Sequence, residues 1–141
     1  MLGRVLVAGF ATRHVVQSAR RAGYAVYAID HFCDQDLGWY AQECVKFQEL
    51  DEIGEKVAEM ARLHSIDILV VTSGAEEIAA PVPLYGTPPR QVERYLDKLE
   101  IQRFLEENRF PAPPLAAAGE YPAMLKPRRG AGGWRNQMVR N

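Results

Sequence analysis

This sequence has few cysteines and no long apolar run. Cys33 and Cys44 are the only cysteines among the 141 residues, too few for a disulfide scaffold and not spaced as a CxxC motif. Reduced thiols in a cytoplasmic protein are therefore expected. The apolar runs stay well short of the roughly 18 residues that a membrane-spanning helix requires. Val5–Ala11 is followed by Arg13 and an amphipathic segment rather than by a signal-peptide cleavage site, which favours a strand. No membrane partner is indicated.

A strong overall charge is also missing. The net charge is -1 at pH 7, with 25% charged and 48% hydrophobic residues. This is ordinary globular composition and gives no reason to expect nucleic acid as a partner. The charge is nevertheless uneven: residues 1–120 carry twelve basic and eighteen acidic side chains, a sum of -6, whereas residues 121–141 carry five basic side chains and no acid. This asymmetry predicts a bound anion near the C-terminal end, with a solvated basic tail as the alternative.

Metal-binding and nucleophile patterns are absent as well. The three histidines and the scattered acids show no metal-ligand spacing. Neither cysteine has a histidine partner suited to nucleophilic catalysis. A metal centre or a thiol enzyme is not predicted from these residues.

What is present is an alternation of short β-branched runs and amphipathic segments, typical of a doubly wound α/β unit. The second run is apolar at nearly every position, which indicates a parallel sheet buried on both faces. Thr12 and Asp51 are predicted to cap the two intervening helices, and Gly23 to end the first. The predicted strands are Arg4–Phe10, Tyr24–Asp30, Val45–Leu50 and Ile66–Val71.

The amino-acid composition changes after Ala80. Four of the nine prolines fall within residues 81–90, and Pro88 and Pro89 suit the start of a helix. A further helix is predicted to start after Asp97, with Glu100 at capping-box spacing. One more short strand is expected in the segment 121–127.

The turn after the first strand has the layout of a dinucleotide site, because Asp30 ends the second strand about twenty residues on. A GxGxxG motif would need glycine where Ala11 and His14 stand, so another ligand is favoured over NAD(P). Arg13, at the helix start, is a candidate for holding a carboxylate or a phosphate.

The stretch "TSGAEE" follows the fourth strand, at the edge where open α/β sheets bind ligands. Ser73 and Gly74 offer donors and Glu76 an acceptor, so these residues join Arg13 and Asp30 as candidates for substrate binding. The alternative is a plain helix cap by Ser73.

The most specific pattern is "MLKPRRGAGG", in which Lys126 ends a strand and a basic, glycine-rich loop follows. Backbone N–H groups of such a loop can converge on phosphate oxygens. The pattern is not a Walker A motif, because GK[ST] is missing.

The stretches "LYGTPPRQVERYLDKLEIQRFLEENRFPAPP" and "YPAMLKPRRGAGG" resemble the entry to ATP-grasp ligases such as biotin carboxylase and D-alanine–D-alanine ligase. "VLVAGFATRHVVQSARRAGYAVYAID" with "VVTSGAEE" is similar to archaeal-type ATP-grasp proteins in particular. The resemblance implies a Rossmann-like pre-ATP-grasp domain over residues 1–86. Residues 87–141 would then be a helical connection and the incomplete start of the ATP-grasp lid.

The resemblance also implies roles for single residues. Lys98 and Lys126 would contact ATP, with Lys126 near the α-phosphate and adenine and Arg128 as an additional phosphate contact. A mobile lid over the β- and γ-phosphates would be formed by Gly130, Ala131, Gly132 and Gly133. The ligands of Mg²⁺ and the acceptor site are expected outside this chain.

The function implied is ATP-dependent activation of a carboxylate as an acyl phosphate, followed by transfer to an amine or a similar nucleophile. The carboxylate is unknown, and the chain is expected to be a cut, inactive N-terminal part that can dimerise through an exposed strand edge. An alternative is a self-contained module that binds a small anion through Arg13, Asp30 and Ser73. A third reading, an NAD(P) enzyme, depends on Asp30 alone.

Overall fold

The computed structural model describes residues 2–130, 133 and 135–141. The chain divides into two compact units, the first ending at Gln91 and the second beginning at Val92. The predicted domain boundary after residue 86 lies shortly before this division. Each unit is described by itself below.

The first unit is built on a four-stranded parallel sheet in the order β3-β2-β1-β4. The central strands β1 and β2 pair in register from Arg4 opposite Ala25 to Gly9 opposite Asp30. The segment around Leu84 runs parallel beside β4 and bonds to both sides of Leu69. The strands are β1 (Arg4–Gly9), β2 (Ala25–Asp30), β3 (Glu43–Lys46) and β4 (Ile68–Val71).

Two helices cover opposite faces of this sheet, α1 (Arg13–Arg21) and α2 (Ile53–His64). Because side chains alternate along a strand, Leu6 packs into the cluster that contains α2, whereas Val7 packs into the one that contains Val16 of α1. The predicted inner face of α2 is confirmed, with all four of its members buried: Ile53, Val57, Met60 and Ala61.

The helix ends differ in part from the prediction. Gly23 has a φ of +96° just after α1 and donates its N–H to Arg20, as expected for a C-terminal glycine. Thr12 stands at the N-cap of α1, but its side chain makes no capping bond. Asp51 does not cap α2 either: Glu49 and Glu52 form a reciprocal capping box around a 3₁₀ turn that leads into the helix.

The cysteines contradict the expectation of reduced thiols. Cys33 and Cys44 form a disulfide, with Cα atoms 6.1 Å apart, and no free cysteine is present among the residues that the structure describes. Cys33 follows β2, and Cys44 lies in β3 beside it, so sheet pairing brings together residues that are separated in sequence. Cys33 also has a φ of 45°, in the left-handed region that non-glycine residues rarely adopt.

A short helix α3 (Pro89–Val92) starts at the second predicted proline and runs across the division between the units. The second unit then contains helix α4 (Lys98–Glu107) and an antiparallel pair, β5 (Ala123–Leu125) and β6 (Gln137–Val139). Within the described part of this unit no residue is buried.

None of the helices in the described part of the chain has the length and apolar character needed to cross a bilayer. In the same residues, no group of three or more His, Cys, Asp or Glu side chains is placed to hold a metal ion.

Candidate functional sites

Asp30 is the last residue of β2, at the carboxyl edge of the sheet in the first unit, and its carboxylate links this strand to the turn between β1 and α1. It is only 3% exposed. Its Oδ2 accepts bonds from the N–H of Thr12 at 2.6 Å and from the hydroxyl of Thr12 at 2.8 Å. Its Oδ1 accepts from the N–H groups of Phe32 and Cys33 at 2.8 and 3.0 Å. Each oxygen thus already has two donors, so this carboxylate stabilises the start of α1 and leaves little capacity for the ribose that an NAD(P) site would bring.

A cavity of about 420 Å³ opens beside this carboxylate. Arg13, the predicted anion contact, reaches its wall but forms ion pairs with Asp34 and, at 3.3 Å, with Asp36. The positive charge is therefore balanced by two acids. The cavity is lined by Ala11, Arg13, His14, Gln17, Asp30, Phe32, Asp34 and Leu37.

The residues predicted after β4 form a turn outside the lining of that cavity. The carboxylate of Glu76 accepts a 2.7 Å bond from the N–H of Gly74, which has a φ of +91°. The carbonyl oxygen of Ser73 accepts from the N–H of Phe10 at 2.8 Å. No helix follows this turn up to Pro88, so the alternative of a helix cap by Ser73 is wrong.

Sequence reasoning missed an aromatic cluster at the same sheet edge. Phe10 stacks on His31 with ring centres 4.6 Å apart and meets Phe32 edge-on at 5.3 Å. His31 also contacts Phe47, which is buried. The available signal was the position of "GF" and "DHF" at the ends of β1 and β2.

In the second unit, Lys98 begins α4 and contacts the segment that follows β5. Its backbone N–H donates to the carbonyl oxygen of Arg128 at 2.8 Å. Its ammonium donates to the carbonyl oxygen of Gly130 at 2.9 Å. Lys126 directly follows β5, is exposed, and makes no hydrogen bond or ion pair with the residues that the structure describes. Lys98 thus bonds to the same short segment in which Lys126 lies. These are the two lysines predicted to contact ATP.

Arg128 does not project freely. Its Nε donates to Oδ1 of Asp97 at 3.1 Å, and a terminal nitrogen lies 2.5 Å from Oδ2. Glu100 is 3.5 Å from the same guanidinium group. The hydrogen bond from Arg128 lowers the pKa of the Asp97 carboxyl, and the N–H groups of Glu100 and Leu99 lower it further against partial desolvation. The same contact raises the pKa of Arg128.

Asp97 is also the N-cap of α4, as predicted, and accepts from the N–H groups of Leu99 at 2.9 Å and Glu100 at 3.3 Å. The Glu100 carboxylate pairs with Arg103 and Arg128.

The glycine-rich segment joins β5 to β6. Met124 faces Met138 across this pair. Gly130 and Gly133 have φ values of +128° and +74°, a region that glycine tolerates best. Ala131 and Gly132, also predicted for the phosphate loop, lie outside the described residues.

Comparisons with known proteins find matches in fold but none in sequence. No protein-family model and no curated protein sequence matches the chain. Solved structures do match. They include N5-carboxyaminoimidazole synthetase from Staphylococcus aureus complexed with ADP, with a TM-score of 0.57 and 16% identity over 100% of this chain and 42% of that one. N5-carboxyaminoimidazole ribonucleotide synthetase from Thermus thermophilus has a TM-score of 0.58 and 20% identity, covering 97% of this chain and 41% of that one.

A third match is L-amino acid ligase from Bacillus licheniformis, with a TM-score of 0.57 and 18% identity over 99% of this chain and 39% of that one. These proteins are ATP-grasp enzymes. The chain has their fold, and its parallel sheet corresponds to their pre-ATP-grasp domain. The predicted α/β class and the predicted resemblance are therefore confirmed at the level of fold. The chain spans about two-fifths of the length of each of these structures.

Proposed function

We propose that this chain forms part of the nucleotide site of an ATP-dependent carboxylate–amine ligase. The observation that carries the proposal is the 2.9 Å bond between the Lys98 ammonium and the Gly130 carbonyl. It ties the predicted lysine of α4 to the glycine-rich segment that follows Lys126. The fold shared with ATP-grasp enzymes supports the same conclusion.

In the proposed reaction, a carboxylate oxygen attacks the γ-phosphorus of ATP, and the bond to the β-phosphate oxygen breaks. This gives an acyl phosphate and ADP. An amine then attacks the acyl carbon, phosphate leaves and a proton is released, so an amide is formed. Such transfers depend on positioning and on stabilising phosphate charge, with Mg²⁺ supplying much of that charge.

The residues of this chain fit the binding part of that task. Lys126 carries an exposed ammonium without a partner among the described residues, and a lysine provides a movable point charge for phosphate. The backbone at Gly130 carries no side chain that would obstruct a phosphate. The described residues contain no acidic cluster for Mg²⁺, so its ligands are proposed to come from elsewhere in the enzyme.

The test is ATP binding by the protein as its source cells make it. We expect Lys126→Ala and Lys98→Ala each to weaken ATP binding by about tenfold or more, as for the loss of one charge-assisted contact. Lys46→Ala, which removes an exposed lysine from β3, is the matched control and should bind as the parent does. Unchanged ATP affinity in Lys126→Ala would show that the lysine does not contact the nucleotide.

The cavity beside Asp30 supports a second candidate, a module that binds a small molecule without catalysis. Its volume of about 420 Å³ suits a small ligand. Since Arg13 is paired with Asp34 and Asp36, an anion would first have to displace a carboxylate. A thermal-shift screen of small carboxylates and phosphates tests this candidate, with Arg13→Gln as the variant that should lose any stabilisation.

A further inference from the structure

Arg128 stands in the basic segment where a phosphate contact was expected, yet its guanidinium group faces two acids. Asp97 lies 2.5 Å and Glu100 3.5 Å from the same terminal nitrogen. A phosphate bound there would approach both carboxylates and be repelled by them. The position of Arg128 in the sequence therefore suggests phosphate binding, whereas its contacts with two acids indicate a structural role.

The pair with Asp97 has the geometry of a fixed structural contact. Two nitrogens of one guanidinium group meet the two oxygens of one carboxylate, the arrangement in which arginine binds most specifically. The Asp97 side chain is only 15% exposed, and its Oδ1 also caps α4. One carboxylate thus orients both the start of the helix and the segment after β5.

Two further bonds reach the same segment. The Lys98 N–H donates to the Arg128 carbonyl at 2.8 Å, and the Lys98 ammonium to the Gly130 carbonyl at 2.9 Å. We call Asp97, Lys98, Arg128 and Gly130 the loop anchor. Its four members share side-chain and backbone contacts, so the position of Gly130 depends on Arg128 and not only on Lys98.

We propose that Arg128 is a positioning residue that acts through Asp97, and that it does not itself bind phosphate. The anchor holds the start of the glycine-rich segment beside the Lys98 ammonium. In the nucleotide complex a phosphate oxygen replaces the Gly130 carbonyl as the acceptor of that ammonium. This last step rests on the proposed function, whereas the anchor itself does not.

The first arm of the test needs no nucleotide. In the ¹⁵N-labelled chain, amide exchange of Lys98 reports its bond to the Arg128 carbonyl. Asp97→Asn removes the charge but keeps a cap, because asparagine caps helices about as well as aspartate. We expect Asp97→Asn and Arg128→Ala to accelerate Lys98 exchange on the order of fivefold, as for the loss of one backbone hydrogen bond. The Leu99 amide in Asp97→Asn should stay protected.

Glu107→Gln is the control for charge, since it removes one carboxylate from the last turn of α4. It should leave Lys98 exchange unchanged. Parental exchange rates at Lys98 in both Asp97→Asn and Arg128→Ala would overturn the anchor.

The second arm measures ATP affinity in a double-mutant cycle. If Arg128 acts through Asp97, Arg128→Ala should cause little further loss of affinity in the Asp97→Asn background. If Arg128 binds phosphate directly, its full loss should persist in that background, and the positioning role would be wrong. An absence of ATP binding by the parent would defeat the proposed function, while the exchange measurement would still decide the anchor.

Discussion

Each of the two units is stabilised internally by a different kind of interaction. In the first, both faces of the sheet are covered, and every buried residue among those described belongs to this unit. In the second, organisation depends on ion pairs and hydrogen bonds around Asp97, with no buried side chain in its described part. Apolar burial contributes roughly 1.5 to 3 kcal/mol for each large side chain, whereas exposed ion pairs contribute about 1 kcal/mol or less. Most of the stability should therefore reside in the first unit.

The strongest way to break this comparison is a pair of leucine truncations. Leu6 is fully buried at the centre of the sheet, and Leu125 is 59% exposed in β5. Leu6→Ala should lower the free energy of unfolding by about 3 to 4 kcal/mol through lost burial and a cavity. Leu125→Ala should change it by about 0.5 kcal/mol or less. Urea unfolding followed by circular dichroism measures both, and equal losses would contradict the contrast.

Reduction of the disulfide should have the next largest effect. Cys33 and Cys44 are 11 residues apart, and a cross-link over such a loop stabilises by roughly 3 kcal/mol in the chain-entropy account. Dithiothreitol should therefore lower the urea midpoint of the first unit. The double variant Cys33→Ser, Cys44→Ser is the control and should not respond to reductant. Two titratable thiols in the untreated folded protein would mean that the bond is not formed.

Two glycines of the first unit should respond in opposite directions to alanine. A Cβ at Gly9 would overlap the backbone of Thr72 across the β1–β4 pair, and Gly9 also has a φ of +150°. Gly9→Ala should therefore destabilise by about 2 kcal/mol. Gly54 in α2 has open space around it, so Gly54→Ala should stabilise by about 0.5 kcal/mol. Thermal unfolding of the two variants checks both signs.

The smallest expected effect is on pH dependence, and it concerns a carboxyl group in each unit whose pKa is lowered. In the second unit Arg128 lowers the pKa of Asp97, and in the first the N–H groups of Glu49 and Gln48 lower that of Glu52. Both groups stabilise the folded protein in their ionised form. Their contribution to stability is therefore complete above the ordinary pKa values, 3.8 for Asp97 and 4.5 for Glu52, and is lost as the pH falls through the lowered pKa values.

Acid titration by NMR should show both carboxyl groups titrating below these ordinary values. Asp97 should return toward its ordinary value in Arg128→Ala, whereas Glu52 should not move. A normal pKa for Asp97 in the parent would contradict the ion pair.

Much of the first unit could be predicted from the sequence because its signals are local. The apolar run of β2 and the spacing of Ile53, Val57 and Met60 in α2 each specify burial without reference to the rest of the chain. The strand limits were less accurate: β3 begins at Glu43, whereas Val45 was predicted, because Gln42 already bonds to Val26.

The features that were missed depend on contacts between distant residues. Thr12 looks like a cap, but its hydroxyl group donates to the buried carboxylate of Asp30 and accepts no N–H from the first turn of α1. Cys33 and Cys44 become neighbours only through the pairing of β2 with β3. The contact between Asp97 and Arg128 spans 31 residues and has no periodic pattern that could reveal it. The roles of Lys98 and Lys126 in binding ATP remain predictions.

The bond between Cys33 and Cys44 also limits how far the chain can be stretched. The 11 residue steps between them would extend to about 37 Å in an unlinked chain, but the disulfide holds the two Cα atoms 6.1 Å apart. A molecule pulled from both ends should therefore be shorter at full extension by roughly 30 Å than its reduced form. Force spectroscopy measures contour length, so it would directly report the length of chain that the disulfide encloses.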